Sequence, residues 1–486
     1  MDYGLLFRTV IHLRPTQVLY QVSHRLRKPA YIPLEAPGIR IPELRTTPIA
    51  KFHSAKGDSC SFLNQEHRFS GWDFTGNGML WAYNQNYFDW INQEDISREA
   101  CCKWIDRFIE GLPENSIGLD PYPIALRSIN WVKFFCRHPE CAVKPRLDSL
   151  YSQLRLLGKE LEYHLMGNHL LEDAYALYIG SALFNDEKML KKAGKLLMGQ
   201  LEEQILPDGA HYEQSPMYHC ILLDRLLDCI NIRPAKELES YARRMLGHIG
   251  SVVWADGTIP LLNDSAVGIA PAPRQILDYA SRLGLEWEPV PLKESGYRKM
   301  RNSYLEAIID VGNITASYQP GHSHADTFNY ELRIDGRPFI VDTGISTYDK
   351  TPRRQYERST AAHNTVAVDG KDSSQVWGGF RVGKRCKATI TRDSTSEIIA
   401  RHDGFRKRCE RRFTMTNDAF MIEDHYDGDA TSHVHLAPEA DISRIRVEGA
   451  GKIEIEDNHY SVEYNRLIPC KVMKIHFRDS LRYRIQ

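Results

Sequence analysis

A chain of 486 residues, 42% of them hydrophobic, is long enough for two or three domains with their own cores. Lys and Arg total 62 against 63 Asp and Glu, a formal charge of -1. The global basic excess of a protein that coats nucleic acid is therefore missing, and an anionic ligand needs a local basic groove. No run approaches the ~18 apolar residues of a membrane span.

In chain order, MDYGLLFRTVIHLRPTQVLYQVSHRLRK does not read as a secretory leader. Asp2 sits where positive charge is expected, Arg8 interrupts the apolar run, and no small-residue cleavage site follows. A cytoplasmic location is the expectation, with the periplasm left open. Residues 16–28 suit a basic amphipathic helix, able to lie on a membrane surface or to dock on the protein's own body; docking is the preferred reading. Residues 1–75 are taken as an extension packed on that body.

From about 80 to 285 the period is helical. In QEDISREACCKWIDRFIEGL, Ile96, Ala100, Cys101, Trp104, Ile105 and Phe108 recur at helical spacing, and Gly111 and Pro113 close the segment. LDSLYSQLRLLGKELEYHLMG repeats the pattern. Further helices are expected near 169–184, 186–204, 217–232, 235–250 and 273–284. Short connections make neighbours antiparallel, which suits a bundle, a solenoid or a closed α/α ring over residues 76–298. The ten cysteines include no CxxC pair, and FFCRHPEC lacks a fourth zinc partner, so free buried thiols are expected.

After about 300 the period is two. NYELRI-DG-RPFIVD reads as a hairpin turning at Asp335-Gly336, and short strands follow to the end. Residues 299–486 therefore form an antiparallel sandwich or barrel.

Three polar constellations could carry chemistry. In MGNHLLEDAYALYIG, Asn168 and His169 open a helix, where Asn is also a good N-cap. In ILPDGAHYEQSPMYHC, Tyr212, Glu213, Tyr218 and His219 cluster before another helix. In GHSHADTFNYELRIDGRPFIVDTG, extended by RSTAAHNTVAVDG, His324, Asp342 and His363 come from three segments. Two imidazoles and a carboxylate suit Zn²⁺, and a satisfied hydrogen-bond network is the alternative. His322 and His324, two residues apart, point to one face if the segment is extended.

Together these stretches resemble the heparinase II/III family of polysaccharide lyases, across residues ~165–370 and with several motifs in order. The resemblance implies an α+β chain: an α/α toroid, or incomplete helical barrel, followed by an antiparallel β-sandwich. It implies a lyase cleaving an anionic, uronate-containing polysaccharide or oligosaccharide by β-elimination. Asn168 and His169 then neutralise the substrate carboxylate, and Tyr218 and His322 exchange protons with it, in an order the sequence leaves open. His324, Asp342 and His363 become ligands of a structural divalent cation, zinc by preference. Tyr212, Glu213 and Tyr348 are candidate substrate contacts, and Arg353, Arg354 and Arg358 candidate charges for an anionic chain. Rival readings are a metal-dependent glycan hydrolase and a non-catalytic glycan-binding or assembly protein. No nucleic-acid partner is expected, and the oligomeric state is left open.

Overall fold

In the computed structural model of the chain, residues 3–26, 30–51 and 54–486 are described. Two short helices come first, α1 (Tyr3–Val10) and α2 (Pro15–Leu26). Pro15 opens α2 where a missing N–H costs nothing, and the Arg14 N–H is capped by Gln17 Oε1 at 2.9 Å. The last residues of the basic helix expected over 16–28, Arg27 and Lys28, lie outside the described residues.

The helical body comprises α3 (Met79–Tyr87), α4 (Arg98–Gly111), α5 (Pro121–Arg137), α6 (Lys144–Leu157), α7 (Gly167–Phe184), α8 (Glu187–Gln204), α9 (Pro216–Ile232), α10 (Lys236–Val252) and α11 (Pro273–Arg282). The inner helices succeed one another: α5 packs on α3 and α7, α7 on α9, and α9 on α11. They are buried on nearly every face, as helices that are hydrophobic all round must be. The outer helices are amphipathic. On α4, Cys101, Trp104, Ile105 and Phe108 are buried, and Ser97 caps the first turn by accepting from the Ala100 N–H at 3.2 Å. Each such apolar side chain withdrawn from water contributes about 1.5–3 kcal/mol.

The C-terminal half is built on one antiparallel sheet of eleven strands, beside a separate two-stranded pair, Val376–Trp377 and Arg381–Val382. They are β1 (Tyr297–Arg301), β2 (Leu305–Asp310), β3 (Tyr330–Ile334), β4 (Arg337–Ile340), β5 (Val366–Ala367), β6 (Ala388–Asp393), β7 (Glu397–His402), β8 (Cys409–Met415), β9 (Phe420–Leu436), β10 (Ile445–Glu463) and β11 (Arg466–Ile485). The path runs β6-β7-β8-β9-β4-β3-β2-β1, with β11 joining β9 to β10. Tyr330 on β3 and Phe413 on β8 lie three strand steps apart, about 14 Å if the sheet were flat. Their rings are 5.8 Å apart, so the sheet folds over into a sandwich around its own core. A toroid followed by an antiparallel sandwich is the architecture expected from the sequence. Tyr297, Ile308, Ile345 and Tyr464 of the sheet half join the helical core, which locks the two halves together. All ten cysteines are free and at least half-buried.

Candidate active site

The site forms where the N-terminal ends of α7 and α9 meet the loop between β2 and β3. Ser215 caps α9 by accepting from the Tyr218 N–H at 3.2 Å, so Tyr218 sits in the first turn with its ring toward the sheet half. The loop brings His322 onto it: the two rings stack with centroids 4.0 Å apart. Asn168 arrives from the third side. It is not the N-cap of α7; that position is Met166, at φ 62 and without a side-chain cap bond. Asn168 instead donates from its backbone N–H and side-chain amide to Glu213, at 2.8 and 3.0 Å, and its Nδ2 stands 3.4 Å from His322 Nε2. Gly167 has φ +60, and a Cβ there would meet Glu213 Oε1 at 2.2 Å. Only glycine lets the helix start so close to that carboxylate.

Asp264, in the connection between α10 and α11, organises the histidines. One oxygen accepts from His322 Nδ1 at 2.9 Å and the other from His324 Nε2 at 2.8 Å. The fully buried Arg354 guanidinium holds both oxygens at 2.5 and 2.7 Å. Burial works against that carboxylate's charge, but Arg354 and the two imidazoles outweigh it and hold Asp264 well below the usual range. His322 and His324 thus both reach Asp264, although the segment that carries them forms no strand.

His169 bonds Glu162 at 3.0 Å through Nδ1 and lies against the Tyr122 ring, 4.4 Å away. Burial draws its imidazole down, yet Glu162, Glu213 and Glu172 outweigh that and leave it above its ordinary value, which favours the cation. Tyr218 behaves oppositely. Burial pushes its phenol well above the ordinary range, Asp264 and Glu213 add to this, and the Tyr348 hydroxyl, 3.4 Å away, and Arg354 offset only part.

These groups open on a cavity of about 980 Å³ between the halves. His169, Tyr218, His322 and Tyr348 line it, as do Arg225, Arg381 and Arg385. Arg381 and Arg385 have no carboxylate partner within ion-pair distance among the described residues. The helices α1 and α2 form one wall: Arg8 donates to Gln375 at 2.9 Å, the Trp377 indole donates to Thr9 at 3.1 Å, and Gln17 donates to the Leu165 and Tyr318 carbonyls.

Other expected contacts lie elsewhere. The Arg353 side chain pairs with Glu357 at 2.7 Å, and the buried Arg358 bonds the Ser323 carbonyl at 2.8 Å. Neither lines the cavity, and Arg358 instead anchors the His322–His324 loop. Tyr212 is buried in a small cluster with Met166, Ala316 and Tyr318, its hydroxyl 3.0 Å from that of Tyr318. Glu213 sits behind Asn168 and positions it. Asp264, Arg225, Arg381 and Arg385 were not singled out by motif. The only available signal was a lone aspartate in LLNDSA and basic residues scattered in helix and loop.

His324, Asp342 and His363 converge beneath the site, all buried. His363 Nδ1 bonds Asp342 Oδ2 at 2.8 Å, and the two histidine rings are 5.2 Å apart. The donor types fit a divalent cation, and the buried Nδ1 of His324 has no hydrogen-bond partner. As the side chains stand, no group of three or more His, Cys, Asp and Glu among the described residues forms a metal-holding set. None of the three lines the cavity, so an ion held by them would not meet a substrate.

A helical toroid closed on an antiparallel sandwich, with a Tyr–His–Asn cluster at the junction, defines the toroid-and-sandwich class. Sequence comparison gives the family. The heparinase II/III N-terminus model matches residues 147–275 and the heparinase II/III-like C-terminal model residues 286–480. The chain belongs to the heparinase II/III family. It is 22% identical to a heparin-sulfate lyase of Bacteroides thetaiotaomicron, over 57% of this chain and 46% of that one. It is 26% identical to a heparin-sulfate lyase of Pedobacter heparinus, over 46% and 39%. The chain thus spans about half the length of the curated relatives it matches. The fold is that of solved heparinase III, with a TM-score of 0.62 at 14% identity, covering 86% of this chain and 78% of that one. A heparan sulfate lyase mutant from Pedobacter heparinus gives 0.57 at 15% identity, covering 97% and 88%.

Proposed function

We propose that this protein is a polysaccharide lyase, a carbon–oxygen lyase that cleaves a uronate-containing polysaccharide by β-elimination. The observation that carries the reading is the stacking of Tyr218 on His322 beside Asn168, at a cavity whose lining includes Arg381 and Arg385, which have no carboxylate partner among the described residues. The curated relatives named above are heparin-sulfate lyases.

Elimination takes the proton from C5 of the uronate and expels the oxygen on C4. The adjacent carboxylate makes that proton weakly acidic, so donors must bind the carboxylate and hold the charge of the enolate-like intermediate. In this reading the donors are the cation-favouring His169, which lines the cavity, and Asn168, buried beside His322. His322 gives its Nδ1 proton to the Asp264 hydrogen bond, which leaves Nε2 as the basic nitrogen. It takes the C5 proton. Tyr218, kept protonated by its raised pKa, gives its proton to the departing O4 as the C4–O bond breaks. A C4=C5 double bond remains, and solvent restores both side chains. Because His322 and Tyr218 stand side by side, both act on one face of the sugar. That geometry suits D-glucuronate, whose C5 hydrogen and O4 share a face, over its C5 epimer.

The same proposal includes a structural divalent cation at His324, Asp342 and His363, supported by the unpartnered His324 nitrogen. Bound there it would brace the His322 loop. A hydrolase-type metal centre finds less support, since those residues are sealed from the cavity.

The test is to incubate the chain with a panel of glucuronate and iduronate polysaccharides and follow ultraviolet absorbance from unsaturated ends. Absorbance rising on glucuronate chains supports the reading. New reducing ends without absorbance would show hydrolysis and overturn it.

A further inference from the structure

The helices that wall the cavity carry a second apolar face that no other part of the described chain covers. On and just beyond α1, Tyr3, Phe7 and Ile11 are 79%, 68% and 56% exposed. On α2, Val18, Val22 and Leu26 are 43%, 54% and 80% exposed. Each trio is spaced four residues apart, so each forms a continuous stripe on its helix. Neighbouring side chains of the same segment, Leu6, Leu13, Gln17 and Gln21, line the cavity. Isolated exposed apolar residues are ordinary on protein surfaces, but two such stripes on successive helices mark an interaction surface.

Charge indicates what covers it. From Tyr3 to Leu34 the sequence has no Asp or Glu, but holds Arg8, Arg14, Arg25, Arg27 and Lys28. The whole chain is balanced at 62 basic to 63 acidic residues, so this stretch departs from it sharply. Arg14 already meets Glu203 at 2.5 Å. Arg8 and Arg25 have no carboxylate within ion-pair distance among the described residues, although Arg8 donates to Gln375 at 2.9 Å and Arg25 borders the cavity. A second copy docking face to face would set these cations against themselves. Short helices with outward apolar stripes and acid-free basic flanks match an anionic bilayer, where apolar side chains enter the headgroup boundary and cations meet phosphates.

We propose that the α1–α2 hairpin docks on an anionic phospholipid surface, which holds the cavity about one helix diameter, ~10 Å, from the bilayer. This inference does not rest on the lyase reading, and its test involves no sugar. The full chain is sedimented with vesicles of phosphatidylcholine alone, and of phosphatidylcholine and phosphatidylglycerol in equal parts. Binding is expected to the mixed vesicles only, and to weaken with salt. Phe7→Glu and Val22→Glu, separately and together, should each keep the wild-type melting curve, and the double variant should bind at least ~10-fold more weakly. Wild-type protein left in the supernatant with mixed vesicles would overturn the proposal. So would undiminished binding by the variants, or light scattering that shows a dimer which the variants dissolve, since a second copy would then own the face.

Discussion

Asp264 accepts the Nδ1 proton of His322 at 2.9 Å, across 58 residues of sequence, while its other oxygen holds His324. This fixes the tautomer of a histidine that lines the cavity. The carboxylate is in turn fixed by Arg354, so the geometry of the proposed base depends on a buried ion pair that never touches the cavity.

Asp264→Asn should therefore act twice. It removes the acceptor charge that orients His322, for which a loss of up to ~10⁴-fold in kcat is expected. It also leaves Arg354 buried without a counter-charge, at about 3–5 kcal/mol of stability. Turnover and a melting curve measured together check this; a variant with normal turnover would remove Asp264 from the mechanism.

Tyr218→Phe should abolish nearly all turnover with little change in melting temperature, because only a hydroxyl with one long 3.4 Å contact is lost. The raised phenol pKa adds a pH expectation with a definite sign. An acid catalyst stays competent while protonated, so the rate should not fall as pH rises toward ~10, the ordinary tyrosine value. A rate that instead climbs as pH rises toward that value would mean Tyr218 works as a tyrosinate base.

Asn168→Ala separates catalysis from capping. The side chain makes no cap bond, so the stability cost is that of leaving Glu213 short of donors, about 1–3 kcal/mol. The expected loss in kcat/KM is larger, roughly 10²–10³-fold, if the amide holds the developing charge. Full activity in a destabilised variant would reduce Asn168 to a structural role.

The helical and strand periods, the change of period near residue 300, and the motifs around Asn168, Tyr218 and His322 were legible because they are local. Asp264 was not, since a single aspartate in a loop has no periodic signal and acquires meaning only when the fold brings two histidines to it. The arginines were misjudged for a related reason. Arg353 and Arg358 stand in a basic run, but their targets, Glu357 and the Ser323 carbonyl, are set by how α12 (Pro352–Glu357) and the histidine loop pack. The unpaired cations of the cavity, Arg381 and Arg385, lie in a stretch without a recognisable pattern.

Acid should loosen the fold through buried neutral histidines. Burial brings His219 down to about 3 and His248 and His402 down to about 4. In the unfolded chain each titrates near 6.5. A lowered folded pKa means that the stabilising contribution is complete above the unfolded value and is lost as pH falls toward the folded one. The melting temperature should thus drop between about pH 6.5 and 4. His248→Gln should flatten part of that slope; an unchanged slope would assign the acid sensitivity to other groups.

The last prediction concerns the paired histidines of GHSHADTF. His322 lines the cavity, whereas His324 is fully buried with one nitrogen on Asp264 and the other unpartnered. Alanine at the two positions should therefore fail in different ways. His322→Ala should lose turnover and keep any bound cation, with a modest fall in melting temperature from its own lost hydrogen bond to Asp264. His324→Ala should lose stability, since it breaks a buried hydrogen bond to Asp264 and empties a packed site. If the proposed cation resides there, that variant should also lose it, together with the stability the ion lends the folded state. Elemental analysis and melting curves of the wild type and both variants, purified without chelator, decide the matter. Cation lost from both variants would make His322 a ligand and overturn the division of roles. Cation retained in His324→Ala would remove that residue from the site, and none in the wild type would leave the three donors as the hydrogen-bond network their distances already describe.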